Sequence, residues 1–172
     1  MKHSILEAPA LSVCPGCGLV LPLHHGPTHA YLGASPACWL LYGQLPTAFR
    51  MNAVGETVRR LVLDTYAVQH PGKPQMRSVQ SVAVHAMGLC ALLESGARER
   101  RVEPLLGRRG THRAPPLHWL EPPRPNGTLT VRDSLGADGP ENYVTRVNAW
   151  AADVWAAWKP HHNIIRGWLD KP

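Results

Sequence analysis

The sequence predicts a mainly α protein: a single-domain helical bundle of about five helices behind an irregular N-terminal loop. Three observations carry this reading. Apolar residues recur at helical spacing in three separate segments, and no segment with strand period is longer than a few residues. Residues 13–34 are rich in Gly, Pro and His and have neither period. A chain of 172 residues fits one ordinary domain and can bury a real core. With 44% hydrophobic and 17% charged residues it has the composition of a globular protein.

The elements follow in order. Residues 1–12 are expected to be a loose lead-in, and 13–172 a single globular unit made of a loop (13–34) and a helical body (35–172). Ser35-Pro36 is a strong helix start, with Ser as N-cap and Pro at the first helical position. That helix carries Cys38, Trp39, Leu41 and Tyr42 and is expected to weaken near Pro46. Asn52 can cap a second helix, with Val54, Val58, Leu61, Val62 and Tyr66 at helical spacing and an end at His70-Pro71-Gly72. Ser78 is read as the cap of a third, running to about Glu94; it is apolar over most of its circumference and so the candidate central helix. A short basic helix is expected before Pro104 and Gly107, then a Pro/Gly-rich stretch pinned by Trp119 and Leu120. Thr130 and Asp133 have capping-box spacing. Pro140 opens the last long helix, with Val144, Val147, Ala151, Val154, Trp155 and Trp158 on one stripe; Pro160 interrupts it, and His161–Leu169 form a final turn or helix.

The cysteines at 14, 17, 38 and 90 could form two disulfides, but a close pair in a reducing compartment is better read as metal ligands. Cys14-Pro15-Gly16-Cys17-Gly18 has the geometry of a zinc knuckle: a tight turn aims both thiolates at one ion, and the glycines can take the positive φ values the turn needs. A thioredoxin-like redox pair would need a helix starting at the motif, and none begins before Pro36. A closed tetrahedral site needs two more ligands. Cys38 sits in the first turn of the Ser35-capped helix, where the helix dipole favours a thiolate. His29, in the intervening loop, is the expected fourth ligand, ahead of His24 and His25. Cys90 reads as core. The predicted metal set is thus Cys14, Cys17, Cys38 and His29, with zinc as the cofactor.

A second constellation is polar. His85 lies in the most apolar helix and His70 ends the one before it, near Asp64 and Tyr66; His161 and His162 stand at a fresh helix start. Two or three imidazoles with an open coordination position would make a catalytic metal site, so a second metal is an open option. Without metal the same groups could act as general base and orienter. The catalytic candidates are therefore His70, His85, His162, Tyr66 and Asp64. No His-Glu-x-x-His pair, Gly-x-Ser-x-Gly elbow or phosphate-binding glycine loop is present, which argues against common zinc proteases, α/β hydrolases and nucleotide kinases.

Six Trp and ten His accompany a single Phe, so several indoles should wall polar pockets as well as fill the core. The net charge of +6 is densest at Arg98, Arg100, Arg101, Arg108, Arg109 and Arg113, a pattern more typical of a solvated helix face than of a nucleic-acid contact. No run approaches the roughly 18 apolar residues of a membrane span, and the first residues have no apolar stretch of signal-peptide length. A cytoplasmic protein with a small-molecule or protein ligand and no membrane partner is expected.

The order of several motifs is specific: Cys14-Pro15-Gly16-Cys17-Gly18, Gly26-Pro27-Thr28-His29-Ala30-Tyr31 and Ser35-Pro36-Ala37-Cys38-Trp39, then Asp64-Thr65-Tyr66-Ala67-Val68-Gln69-His70-Pro71, Gln80-Ser81-Val82-Ala83-Val84-His85 and Trp155-Ala156-Ala157-Trp158-Lys159-Pro160-His161-His162. Over about Cys14 to Trp168 the chain resembles a bacterial family known as domain of unknown function 5946. The resemblance implies a single bacterial domain marked by Cys, His, Trp and Tyr, and it supplies no activity. Three readings follow from residue chemistry: a small zinc-binding protein; a metal-dependent or His-based enzyme with a pocket around His70, His85 and His162; and a zinc-containing nucleic-acid or protein adaptor. The sequence leaves open whether the protein is an enzyme.

Overall fold

A computed structural model describes residues 10–48, 55–94 and 116–170. The chain begins with an antiparallel hairpin, β1 (Leu11–Val13) and β2 (Val20–Pro22), in which Leu11 pairs with Pro22 and Val13 with Val20. Leu11 and Ser12, expected in a loose lead-in, therefore belong to an ordered element. The knuckle is what makes the hairpin: Cys14 N–H donates to the Leu19 carbonyl at 2.9 Å and Gly18 N–H to the Cys14 carbonyl at 2.9 Å, with Gly18 at φ 74°.

Helix α1 (Pro36–Ala48) starts where Ser35 and Pro36 predict, with the Cys38 N–H donating to the Ser35 hydroxyl at 3.2 Å, and it runs through Pro46. Helix α2 (Gly55–Gln69) ends at the predicted Pro-Gly; its proposed cap, Asn52, lies outside the described residues. Helix α3 (Met76–Glu94) begins two residues before Ser78, which is therefore not its cap. The Ser78 hydroxyl instead donates to the Tyr31 carbonyl at 3.2 Å, fastening the N-terminal loop to the helix. The basic segment Arg98–Arg113 also lies outside the described residues.

Helix α4 (Val131–Leu135) has the predicted capping box, Thr130 with Asp133. Helix α5 (Pro140–Ala157) buries Val147, Trp150, Ala151, Val154 and Trp155. Pro160 falls in a 3-10 turn (Lys159–His161), after which α6 (His162–Asp170) completes the chain.

The arrangement is mainly helical, with six helices among the described residues and a small cysteine-bearing hairpin at one end. Helix α3 packs on α2, α5 and α6. It is the central helix that its composition predicts, with Ala86, Met87 and Leu89 fully enclosed. By length and composition alone α3 could cross a membrane, yet here it forms the middle of the core.

A satisfied polar clamp joins α2 to the Pro-rich loop and α5. The Asn126 amide donates to the Val68 and Gln69 carbonyls at 3.1 and 3.0 Å, and its oxygen accepts the Trp158 indole N–H at 2.7 Å. Gln69 donates to the Asn126 and Leu129 carbonyls at 3.0 and 2.7 Å and accepts from the Trp150 indole at 2.9 Å. The last carbonyls of α2, which no helical N–H can reach, are thereby paired in the interior. This clamp fixes the end of α2, and with it the direction in which His70 points.

Candidate metal centre

Three elements converge on one point. The hairpin turn supplies Cys14 and Cys17, the first turn of α1 supplies Cys38, and the residue after α2 supplies His70. Their ligand atoms all lie within 4.8 Å of one another. Cys17 Sγ is 3.8 Å from Cys38 Sγ, and Cys38 Sγ is 3.3 Å from His70 Nε2. All four cysteines of the chain are free thiols, so the cluster is no disulfide.

The donor set fits a tetrahedral metal. Bonds of about 2.3 Å to sulfur and 2.0–2.1 Å to imidazole place two sulfurs about 3.8 Å apart and sulfur and nitrogen about 3.6 Å apart. The observed separations need only tenths of an ångström of adjustment. Cys14, Cys38 and His70 are at most 1% exposed, while Cys17 is half-buried at the edge.

The surroundings prepare the ligands. His70 Nδ1 lies 2.7 Å from the Tyr66 carbonyl, which can only accept, so Nδ1 carries a proton and Nε2 is the ring atom turned to the thiols. The Tyr66 ring stacks on His70 at 4.0 Å, and its hydroxyl points to Cys38 Sγ at 3.7 Å. Ser35 N–H points to Cys14 Sγ at 3.4 Å. Gly16 lets the turn press on α2: a Cβ there would lie 2.5 Å from His70 Cδ2 and 2.9 Å from the Gln69 carbonyl oxygen.

Electrostatics point the same way. Packed this closely, the three thiols cannot all ionise together. Hydrogen bonds from Cys17 and Cys38 pull Cys14 far below the ordinary thiol range, while the hydrogen bonds of Cys38 to Cys14 and Cys17, together with burial, push Cys38 up. Burial disfavours the His70 imidazolium, but Cys14 and Cys17 outweigh it and raise His70 to about 9. Burial, together with the Cys38 thiol, pushes Tyr66 up. A group of this kind holds one negative charge comfortably; a divalent cation would accommodate the rest.

The fourth member is His70, not the expected His29. The reason is backbone pairing: Leu32 forms an isolated bridge with Pro71, and Gly33 N–H donates to the His70 carbonyl at 2.9 Å. This contact brings the end of α2 to the thiols and leaves His29 outside, against Tyr31 at 4.3 Å and Trp39 at 5.4 Å. His24 and His25 are exposed, and Cys90 is buried in the core as expected.

The catalytic candidates fall into three groups with different partners. His70 belongs to the thiol cluster and Tyr66 stacks on it. His85 pairs with the buried Asp64 carboxylate at 2.7 Å, and Arg60 holds the same carboxylate at 2.8 Å. His162 stacks on Trp155 at 3.9 Å, donates to the Trp155 carbonyl at 2.8 Å and lies 3.7 Å from Glu94. Among the described residues, the thiol–imidazole cluster is the one group of three or more such side chains with metal-binding geometry.

Residues 12–159 match the model of a family of unknown function, DUF5946. The chain belongs to this family. The matched region runs from β1 to the 3-10 turn and includes all four members of the cluster. No curated protein and no solved structure matches the chain.

Proposed function

We propose that this DUF5946 member is a zinc-binding protein in which Cys14, Cys17, Cys38 and His70 hold one structural Zn²⁺. The observation that carries the reading is the convergence of four donors within 4.8 Å of one another. Three thiolates and an imidazole form a soft, tetrahedral set that suits zinc. Four protein ligands leave no open position for a substrate, so the ion acts as a staple joining the hairpin to α1 and α2. Ligand thiols kept reduced are consistent with a cytoplasmic setting.

Elemental analysis of purified protein tests this, with one zinc per chain expected. Chelation should lower the unfolding temperature, and cobalt substitution should give the thiolate charge-transfer bands of a tetrahedral sulfur-rich site. Cys17→Ser and His70→Ala should lose the metal, whereas His29→Ala should keep it. Metal-free protein whose cysteines titrate freely in the native state, with unfolding indifferent to chelators, would refute the proposal.

A further inference from the structure

Next to the metal centre lies an open cleft of about 990 Å³, at the upper end of the range for small-molecule sites. Its floor is the knuckle turn, and its walls are the 28–33 loop, the α2–α3 connection and the Pro-rich loop. A shallower hollow of about 480 Å³ shares Tyr31 and Gln75 with it and extends past them to Arg77.

The charge of this depression is one-sided. Lys73 and Arg124 line the cleft and Arg77 lines its extension, against a single acid, Glu121. None of the three cations has an ion pair or side-chain hydrogen bond with the described residues. Glu121 is engaged by the Trp119 indole N–H at 3.1 Å. His29 adds a third kind of group: it lines the cleft, and its Nδ1 is buried with no hydrogen-bond partner. Tyr31 and Trp119 bring aromatic surface to the same walls.

We infer that this cleft binds an organic phosphate carrying a flat ring, the chemistry of a nucleotide, whether free or as part of a single-stranded nucleic acid. Unpaired Lys and Arg attract the phosphate, and aromatic side chains offer the ring a stacking face. The inference does not depend on which metal occupies the cysteine cluster.

The test uses the full, metal-replete chain and follows the Trp119 indole N–H by NMR, assigned through Trp119→Phe. The probes are AMP, adenosine, inorganic phosphate and an eight-residue oligoadenylate. AMP or the oligoadenylate should shift the resonance saturably, more tightly than adenosine or phosphate and more weakly as salt rises. Tighter binding of the oligoadenylate than of AMP assigns the source to nucleic acid; equal or weaker binding assigns it to the free nucleotide. Lys73→Ala and Arg124→Ala, both at exposed positions, should each weaken binding about tenfold, the lower end for a lost contact to a charged group. No saturable shift with any probe, adenosine binding as tightly as AMP, or variants that bind like the parent would overturn the inference.

Discussion

Gly16→Ala probes the contact on which the candidate metal centre rests. The new methyl would stand 2.5 Å from His70 Cδ2, 2.8 Å from His70 Cα and 2.9 Å from the Gln69 carbonyl oxygen. Ordinary contacts to carbon begin near 3.5 Å, so the knuckle must retreat from α2 by several tenths of an ångström. Two of the three atoms are backbone and belong to the clamped end of α2, so they yield little. Overpacking of this kind costs about 1–3 kcal/mol. Metal ligation tolerates only about 0.2 Å, so the retreat also pulls Cys14 and Cys17 away from His70 and Cys38. The expected result is a lower unfolding temperature and zinc affinity reduced about 10- to 100-fold, a range typical of lost outer-shell support. Competition with a chromophoric chelator measures the affinity, and calorimetry with and without zinc measures stability. Gly43→Ala is the matched control. It lies within α1 with nothing within 4 Å of its added Cβ, so it should stabilise by about 0.5–1 kcal/mol. If Gly16→Ala bound zinc within twofold of the parent and unfolded at the same temperature, the close approach of turn and helix would not support the site.

Other expectations follow from the same contacts. Asn126→Ala leaves two α2 carbonyls and the Trp158 indole unpaired, and should cost about 2–4 kcal/mol in urea unfolding. Gly88→Ala would drive a methyl into the Asp64 carboxylate, and Asp64→Ala would remove the buried carboxylate that Arg60 and His85 both contact. Gly88→Ala should destabilise by about 1–3 kcal/mol through overpacking and Asp64→Ala by about 3–5 kcal/mol, as when one partner of a buried ion pair is removed, and circular-dichroism melts will read both. Glu94 is held near pH 2 by its bonds to Arg166 and the Trp155 indole, below the ordinary 4.5. A depressed carboxyl contributes above its unfolded value and loses that contribution as pH falls through the folded one. The gap in melting temperature between parent and Glu94→Gln should therefore be full above about pH 4.5 and close towards pH 2. A gap that widened on acidification would contradict the sign.

Much of this architecture can be read from local sequence. Ser35 with Pro36, Thr130 with Asp133, and Pro140 act within a few residues of themselves, and the helices begin there for reasons of backbone hydrogen bonding and fixed φ. The apolar stripes of α3 and α5 identify their buried faces because helical period is a local property. Cys14 and Cys17 read as a pair of candidate ligands because one turn sets their distance. Ser78 misled for the same local reason: it resembles a cap, but its hydroxyl serves the Tyr31 carbonyl 47 positions away in the chain.

The fourth donor was beyond that reach. His70 is 32 residues from Cys38, and no spacing rule relates a residue after one helix to the first turn of another. What places it is tertiary: the Leu32–Pro71 bridge, the Gly33–His70 bond and the clamp of Gln69 and Asn126 on the end of α2. The chain by itself determined its helices, its central α3 and the knuckle, since each depends on neighbours along the backbone. Only the packing of α2 against the loop decided that His70 meets the thiols while His29 faces the cleft, because that outcome depends on hydrogen bonds between segments far apart in sequence.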